Sequence, residues 1–387
     1  MTTLAEHLER RADVAHLAPG FGIYVHIPYC ISRCPYCDFN TYVGIEDTAP
    51  AYVDALLSEA RAWAERAAGR TAGSIFVGGG TPSLLEPELM TQLLDGLRAT
   101  FDVAPGAEIT IEANPETVDV ERLSGFHAAD VDRVSFGAQS FVPHVLATLG
   151  RAHTAGRTEQ AVAQARAAGF DNLNLDLIYG TPGESLDDWR TSVDRAIALD
   201  PEHLSAYALT IEDGTQFGAD VASGRMPSPD DDDMAEKYEL ALDLLHAAGY
   251  EHYETSNWAK PGRACRHNLV YWTQGEYAGL GAGAHGHLDA ARVWNEKAPR
   301  TYIERAPDAR AGEERLDPAA RAAERLQLRL RLIAGVDIEE ISAIADRDLS
   351  VEVDALERDG LVRLDGARLA PTRRGLLLGS EIALRLT

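Results

Sequence analysis

The chain has 387 residues, of which 45% are hydrophobic, a formal net charge of −25 and four cysteines. This length and composition fit a packed protein larger than one small domain. The acidity argues against a nucleic-acid partner, because binding to DNA or RNA depends on a surplus of Lys and Arg. The charged start MTTLAEHLERRADVAHL lacks the apolar segment of a secretory leader, and four cysteines make no disulfide framework. We therefore expect a cytoplasmic protein without stable membrane insertion.

The first two thirds of the chain alternates between candidate strands and candidate helices. Apolar or alternating runs predict strands at 22–27, 74–77, 108–112, 133–136, 172–178 and 203–209. Helical patterns lie between them at 51–68, 87–101, 120–128, 155–168 and 186–199. This alternation predicts a parallel sheet with right-handed crossovers over residues 21–215, after an arm at 1–20. In such folds function lies at the carboxyl ends of the strands.

The remainder of the chain follows a different pattern. Residues 216–312 are predicted to extend the barrel, with a helix at 234–248, a strand at 250–255 and a glycine-rich, aromatic stretch up to His287. Residues 313–387 predict helices at 326–332, 338–343 and 351–359, followed by a hairpin that turns at Asp365 and Gly366. This order is typical of a small winged-helix-like domain. Its acidic setting favours a structural role over DNA binding.

Three of the four cysteines, Cys30, Cys34 and Cys37, lie in the segment HIPYCISRCPYCDFN with the spacing C-x3-C-x2-C. A structural zinc site needs four ligands, and Cys265 is far away in the sequence. The pair Cys34 and Cys37 resembles a thioredoxin-type redox frame, but that interpretation leaves Cys30 without a role. A 4Fe–4S cluster normally takes four cysteines, so three would leave one iron open to a chelating ligand.

This spacing after the first predicted strand resembles the radical S-adenosylmethionine (SAM) superfamily. The resemblance implies a partial (β/α)6 barrel, here with an appended C-terminal α+β domain, and a 4Fe–4S cluster whose open iron binds the amine and carboxylate of SAM. Electron transfer then cleaves SAM to a 5′-deoxyadenosyl radical. Tyr36 is the usual aromatic residue before the third cysteine. The run VGGGTP, with Gly79, Gly80 and Thr81, corresponds to the glycine-rich motif that contacts the SAM amino group.

Polar residues follow successive predicted strands in runs that resemble the coproporphyrinogen III oxidase (HemN) branch of this superfamily. The resemblance implies that carboxylates bind the ribose hydroxyls or the amine of SAM and that an arginine binds its carboxylate. The residues implied to line SAM are Tyr24, Glu112, Gln139, Arg151, Asp176 and Ala208. Taken singly, each carboxylate could instead cap a helix or pair with an arginine. For His26, a packing role beneath the cluster and a direct role both stay open.

Three features separate this chain from the oxidases of that branch. Phe39 occupies the position of a further cysteine in the oxidase pattern C-x3-C-x2-C-x-C. Only about twenty residues precede the first predicted strand, whereas the oxidases have a longer extension. The run H-N-x-x-Y-W at 267–272 is similar to the signature of the oxidase-like haem chaperone (HemW) family.

The residues of this run suit haem. An imidazole is a good axial ligand for haem iron, which makes His267 the predicted ligand, and Tyr271 and Trp272 would form an apolar wall. Cys265 could be a second ligand or a covalent attachment point, although the attachment spacing C-x-x-C-H is absent. Two further imidazoles, His285 and His287, could flank the same pocket.

The sequence therefore predicts a haem chaperone that holds a 4Fe–4S cluster and SAM and transfers haem to an acceptor, respiratory or other. The alternative is an oxygen-independent coproporphyrinogen III oxidase, which would decarboxylate its substrate to protoporphyrinogen IX by radical chemistry. A chaperone need not cleave SAM, and no residue is assigned a catalytic role. A zinc-stabilised structural barrel is discounted, because it would make the series of polar strand ends accidental.

Overall fold

A computed structural model describes residues 15–151 and 156–386, so most of the predicted arm at 1–20 lies outside the described residues. The first half of the chain forms six strands that pair in parallel in sequence order. They are β1 (Phe21–Ile27), β2 (Thr71–Gly79), β3 (Asp102–Ala113), β4 (Arg133–Gln139), β5 (Leu173–Tyr179) and β6 (His203–Ala208). Their apolar runs reflect burial on both faces of a parallel sheet.

Helices connect these strands as the alternation predicts. They are α1 (Ala49–Arg66), α2 (Pro87–Thr100), α3 (Val120–Ala128), α4 (Pro143–Thr148), α5 (Arg157–Ala167) and α6 (Leu186–Ala198). The short α4 falls where no periodic pattern predicts a helix. At the start of α6, Ser185 and Asp188 form a capping box, which satisfies backbone N–H groups that have no partner within the helix.

The middle of the chain extends the sheet on both sides. Its elements are α7 (Gln216–Ala222), α8 (Asp231–Ala247), β7 (Glu251–Glu254), β8 (Asn257–Ala259), α9 (Arg266–Trp272), β9 (Glu276–Leu280), β10 (His285–Leu288), β11 (Ala291–Asn295), α10 (Pro299–Arg305) and β12 (Arg310–Arg315). The twelve strands run in the order β12-β11-β10-β9-β1-β2-β3-β4-β5-β6-β8-β7. Because β9 is parallel to β1, seven consecutive strands of the sheet are parallel. The predicted α/β partial barrel is confirmed.

The end of the chain has a small sheet and a hydrophobic core of its own, around Leu326, Leu356 and Leu369. Its elements are α11 (Pro318–Arg329), β13 (Val336–Asp337), α12 (Ile338–Ala345), α13 (Ser350–Arg358), β14 (Val362–Asp365), β15 (Arg368–Pro371), α14 (Arg373–Leu377) and α15 (Gly379–Leu386). Gly366 turns the predicted hairpin with a φ of +59°. None of the helices described in the chain is long and apolar enough to cross a membrane.

Candidate functional site

The cysteine loop leaves the carboxyl end of β1 and is held by backbone hydrogen bonds. The Cys30 N–H donates to Tyr42 O over 2.9 Å, and the Tyr42 N–H donates to Pro28 O over 2.7 Å. Within the loop, the Cys37 N–H donates to Cys34 O over 3.1 Å. All three thiols are free and half-buried. The three thiols therefore lie on one loop whose backbone is fixed by its own hydrogen bonds.

The spacing of these thiols is compatible with a 4Fe–4S cluster. Burial raises the pKa of the Cys30 and Cys37 thiols, and the neighbouring Cys34 raises both further, so binding iron would displace their protons. In the described parts of the chain, no three His, Cys, Asp or Glu side chains surround one metal-ion position. A 4Fe–4S cluster gives each thiolate a separate iron, so its ligands do not converge on one point.

The glycine-rich end of β2 lies directly against the cysteine loop. The Thr81 N–H donates to Tyr29 O over 2.7 Å, and Thr81 Oγ1 lies 3.5 Å from Cys30 Sγ. A Cβ at Gly80 would lie 2.6 Å from Tyr29 O, so only glycine permits this close approach of two backbones. The predicted SAM contacts Gly79, Gly80 and Thr81 are thus adjacent to the predicted cluster ligands.

A guanidinium group stands beside the same loop. Arg151 donates from Nε and Nη2 to the Tyr36 hydroxyl over 3.3 and 3.2 Å, and it interacts electrostatically with Cys34 and Cys30. Burial raises the pKa of Tyr36 to about 12, so its hydroxyl stays protonated. Within residues 15–151 and 156–386, Arg151 has no carboxylate partner. An arginine without a counter-ion fits the carboxylate of an amino-acid-like ligand such as SAM.

Two of the predicted carboxylates line a cavity of about 210 Å³ inside the barrel, together with Tyr24. Glu112 Oε2 accepts a hydrogen bond from the Gly79 N–H over 2.8 Å. Asp176 accepts from Ser135 Oγ over 2.8 Å. The carboxylates therefore hold the glycine-rich turn and the inner strand surface in place.

The other two residues predicted to line SAM lie at strand ends. Gln139 ends β4 with a φ of +63°, and a Cβ at Gly137 would lie 2.7 Å from its Nε2 and 3.7 Å from Arg151 Nη2. Ala208 is exposed at the end of β6. The structure thus brings Gln139 close to Arg151 and leaves Ala208 on the rim.

Sequence reasoning missed Arg133, which also lines the cavity. Its side chain is 2% exposed, and among the residues that the structure describes its Nε has no hydrogen-bond partner. The signal in the sequence is a charge at the first position of the apolar strand Arg-Val-Ser-Phe. A buried guanidinium that interacts electrostatically with Glu112 and Asp176 contributes positive potential to the interior.

Glu112 is expected to make stability depend on pH. Burial and the nearby Asp176 raise its pKa to about 7, against about 4.3 in an unfolded chain. The folded state then binds the proton more tightly, so this stabilisation is complete below about pH 4 and is lost as the pH rises through 7. Relative to the wild type, Glu112→Gln should gain about 3 kcal/mol in free energy of unfolding between pH 4 and 8.

Urea unfolding of both proteins across this pH range measures the difference, with the exposed Glu121→Gln as the matched control. Parallel profiles for Glu112→Gln and the wild type would show that the pKa of Glu112 is the same in the folded and the unfolded chain, contrary to the prediction.

The predicted haem ligand lies in a closed environment. His267 is fully buried, with Nδ1 2.8 Å from Ser74 Oγ and Nε2 2.9 Å from the Tyr271 hydroxyl. The carboxylate of Glu108 accepts a hydrogen bond from the His267 N–H over 3.0 Å and fixes the start of α9. Burial lowers the pKa of His267 to about 3, so the imidazole is neutral. Both ring nitrogens are already engaged.

His267 also lies at the opposite end of the barrel from the cysteine loop. A Cβ at Gly22, near the start of β1, would lie 3.1 Å from His267 Cε1. The five residue-to-residue steps from Gly22 to Ile27 span roughly 17 Å at about 3.3 Å each, and the loop begins only beyond them. The haem assignment to His267 stays a prediction, and it would require α9 to leave this end of the barrel.

The other members of the haem motif share this setting. Tyr271 lines the interior cavity, and the Arg331 guanidinium carbon lies 4.4 Å from the centre of the Trp272 ring. Cys265 is fully buried, with Sγ 3.4 Å from Glu108 Oε1. As folded, the motif closes the amino-terminal end of the barrel.

The remaining candidate histidines differ in what their rings contact. Both ring nitrogens of His26 make hydrogen bonds, Nδ1 with the Tyr24 hydroxyl over 3.0 Å and Nε2 with Asn40 O over 2.9 Å. His26 thus has a hydrogen-bonding role beneath the cysteine loop. His287 Nδ1 is bonded to Gly275 O over 2.8 Å. His285 is exposed, and in the described parts of the chain its ring makes no hydrogen bond.

Comparisons with known proteins bear on the family and the fold of this chain. The chain matches the family model of the radical SAM superfamily over residues 24–196 and that of the HemN C-terminal domain over residues 316–378. A solved structure of coproporphyrinogen III oxidase (HemN) from Escherichia coli, described as a radical SAM enzyme, matches with a TM-score of 0.81. The match covers 98% of this chain and 92% of that one at 23% identity, which shows the fold alone.

Curated relatives extend the likeness along most of the chain. Heme chaperone HemW of Mycobacterium tuberculosis (strain H37Rv) is 45% identical over 373 residues, covering 95% of this chain and 94% of the relative. Heme chaperone HemW of Escherichia coli (strain K12) is 46% identical over 294 residues, 74% of this chain and 76% of the relative. That of Bacillus subtilis (strain 168) is 34% identical over 374 residues, 93% of this chain and 97% of the relative. The chain therefore belongs to the haem chaperone HemW family, within the radical SAM superfamily.

Proposed function

We propose that this protein is a cytoplasmic haem chaperone that binds haem, carries a 4Fe–4S cluster and SAM, and transfers haem to an acceptor haem protein. The observation that carries the proposal is the cysteine loop, in which three thiols are followed by Phe39, with 63% of its surface exposed. The oxidases that the loop resembles have a cysteine at that position. The names of the relatives, heme chaperones along most of this chain, support the same function.

The donor set supports the two resident cofactors. Cys30, Cys34 and Cys37 would hold the cluster, and Arg151 and the glycine-rich turn would hold SAM. When bound, the cluster supplies an electron and SAM supplies an adenosyl group. The chain itself contributes the fixed backbone of the loop and a guanidinium held by the Tyr36 hydroxyl. Within this function, residues 21–215 are proposed as the cofactor barrel, 216–312 as its extension and 313–387 as a structural domain.

The alternative function is oxidation of coproporphyrinogen III. The fold similarity to the oxidase, with a TM-score of 0.81 over 98% of the chain, favours it. The complete series of polar strand ends does so too, since it supplies the groups that SAM needs. Phe39 argues against it, because it replaces a cysteine of the oxidase pattern. The chaperone is therefore the preferred function.

One anaerobic experiment on the reconstituted full chain distinguishes the two functions. In one arm, haem-loaded protein is mixed with a haem-free b-type haem protein, and the absorbance of the acceptor is followed. In the other arm, reduced protein is incubated with SAM and coproporphyrinogen III. We expect haem transfer faster than from free haem in solution and no protoporphyrinogen IX. Sustained formation of that product, or no haem binding at all, would overturn the proposal.

A further inference from the structure

His285 lies at the same end of the barrel as the cysteine loop. Strand β9 runs parallel to β1 with Leu280 beside Val25, so β9 ends where the cysteine loop begins. Asn40, three residues after the last cysteine of the loop, donates from Nδ2 to Ala282 O and to Lys297 O, each over 2.9 Å. These bonds join the segments on both sides of His285 to the cysteine loop.

The side chain of His285 points toward the concave side of the sheet. A Cβ at the next residue, Gly286, would lie 2.6 Å from the Trp63 ring of α1, so Gly286 faces the outer helix layer. Successive residues of a strand face opposite sides, which turns His285 inward. There its ring lies 6.0 Å from that of Trp294, its partner on β11, with 25° between the ring planes.

The surroundings of this imidazole combine the groups that a haem needs. In the described parts of the chain the His285 ring makes no hydrogen bond, so a ring nitrogen is available to bind iron. Lys297 is exposed and, among the described residues, forms no ion pair, whereas Arg292 is paired with Glu314. An unpaired cation suits the carboxylate of a porphyrin propionate.

Apolar surface completes the site next to the cysteine loop. Phe39 is 63% exposed and Val43 is 51% exposed. They flank the segment in which the Asn40 amide and the Tyr42 hydroxyl donate hydrogen bonds to Lys297 O. Exposed aromatic and aliphatic side chains suit the face of a flat, apolar macrocycle. His267, by contrast, has no free ring nitrogen.

We propose that haem binds at this rim with His285 as its axial ligand, the macrocycle against Trp294 and Phe39, and a propionate on Lys297. The proposal rests on the proposed function, because haem is the cargo of a chaperone. It places the cargo beside the cluster loop rather than at the opposite end of the barrel. Lys297 and Phe39 thereby become determinants of cargo binding.

Ferric haem titration of the full chain tests the assignment through the position of the Soret band and the dissociation constant. Loss of a partner that merely supports a metal ligand already costs roughly 10–100-fold in affinity. His285→Ala should therefore bind haem at least about tenfold more weakly and lose the Soret position of the wild type, and added imidazole should restore that position. Lys297→Ala should weaken binding without moving the band. His144→Ala, at an exposed histidine of α4, is the matched control.

The outcomes are distinct. If His285→Ala keeps the wild-type Soret band and affinity, the inference is wrong while the proposed function stands. If the wild-type Soret band is lost instead in His267→Gln, and circular dichroism shows an intact fold, the axial ligand is His267 on α9. If the wild-type chain does not bind haem, the proposed function itself fails.

Discussion

Replacing Cys30 by serine is expected to abolish the 4Fe–4S cluster. After anaerobic reconstitution, the wild-type chain should hold about four irons, and Cys30→Ser should lose most of them. The physical reason is the ligand count, because two remaining thiolates cannot hold a cluster that three already leave with an open iron. Serine supplies an oxygen, a poorer partner than sulfur for iron–sulfur centres. Iron and sulfide analysis measures the result, together with the broad visible absorbance of the cluster.

The matched control is Cys265→Ser, at the fourth cysteine of the chain. Its thiol is buried beside Glu108 near the start of α9, away from the cysteine loop, so the cluster should keep its full iron content. Cys34→Ser and Cys37→Ser should behave as Cys30→Ser does. An intact cluster in Cys30→Ser would contradict the ligand assignment, and so would iron loss confined to Cys265→Ser.

Much of the barrel can be predicted from the sequence because its signals are local. The predicted helix at 120–128 coincides with α3, which begins after Asp119, whose side chain accepts a hydrogen bond from the Arg122 N–H. Parallel strands such as β5 are buried along their length and rich in apolar residues, with only Asn174 and Asp176 polar, so they stand out in the sequence. The start of β3 at Asp102 is six residues earlier than predicted, because Pro105 and Gly106 interrupt the pattern there.

The strands after α9 could not be predicted because tertiary contacts determine them. Gly279 lies in the middle of β9, where glycine disfavours a strand, yet a Cβ there would lie 1.8 Å from His285 O. The close approach of β10 requires the glycine, and nothing in the local sequence shows that approach. The environment of His267 is hidden in the same way. Its residue type suits haem, but only the fold shows that Ser74 and Tyr271 occupy its nitrogens.

Replacing Glu59 by glutamine is expected to lower the free energy of unfolding by about 3 kcal/mol, because it places an amide donor among three donors. Glu59 is 3% exposed on α1. Its Oε2 accepts from the Gly281 N–H over 3.0 Å and from the Tyr302 hydroxyl over 2.6 Å, and its Oε1 accepts from Asn295 Nδ2 over 2.7 Å. Rotating the Asn295 amide does not relieve the conflict, since Nδ2 also donates to Gly281 O.

Urea unfolding measures this loss, and Glu65→Gln on the exposed face of the same helix is the control. Because Glu59 anchors the segment between β9 and β10, its replacement should also weaken haem binding at His285. Equal stability of Glu59→Gln and the wild type would contradict the prediction. It would show that burial, which raises the pKa of Glu59, keeps the carboxyl protonated, so that its O–H donates to Tyr302 and the site already accommodates a donor.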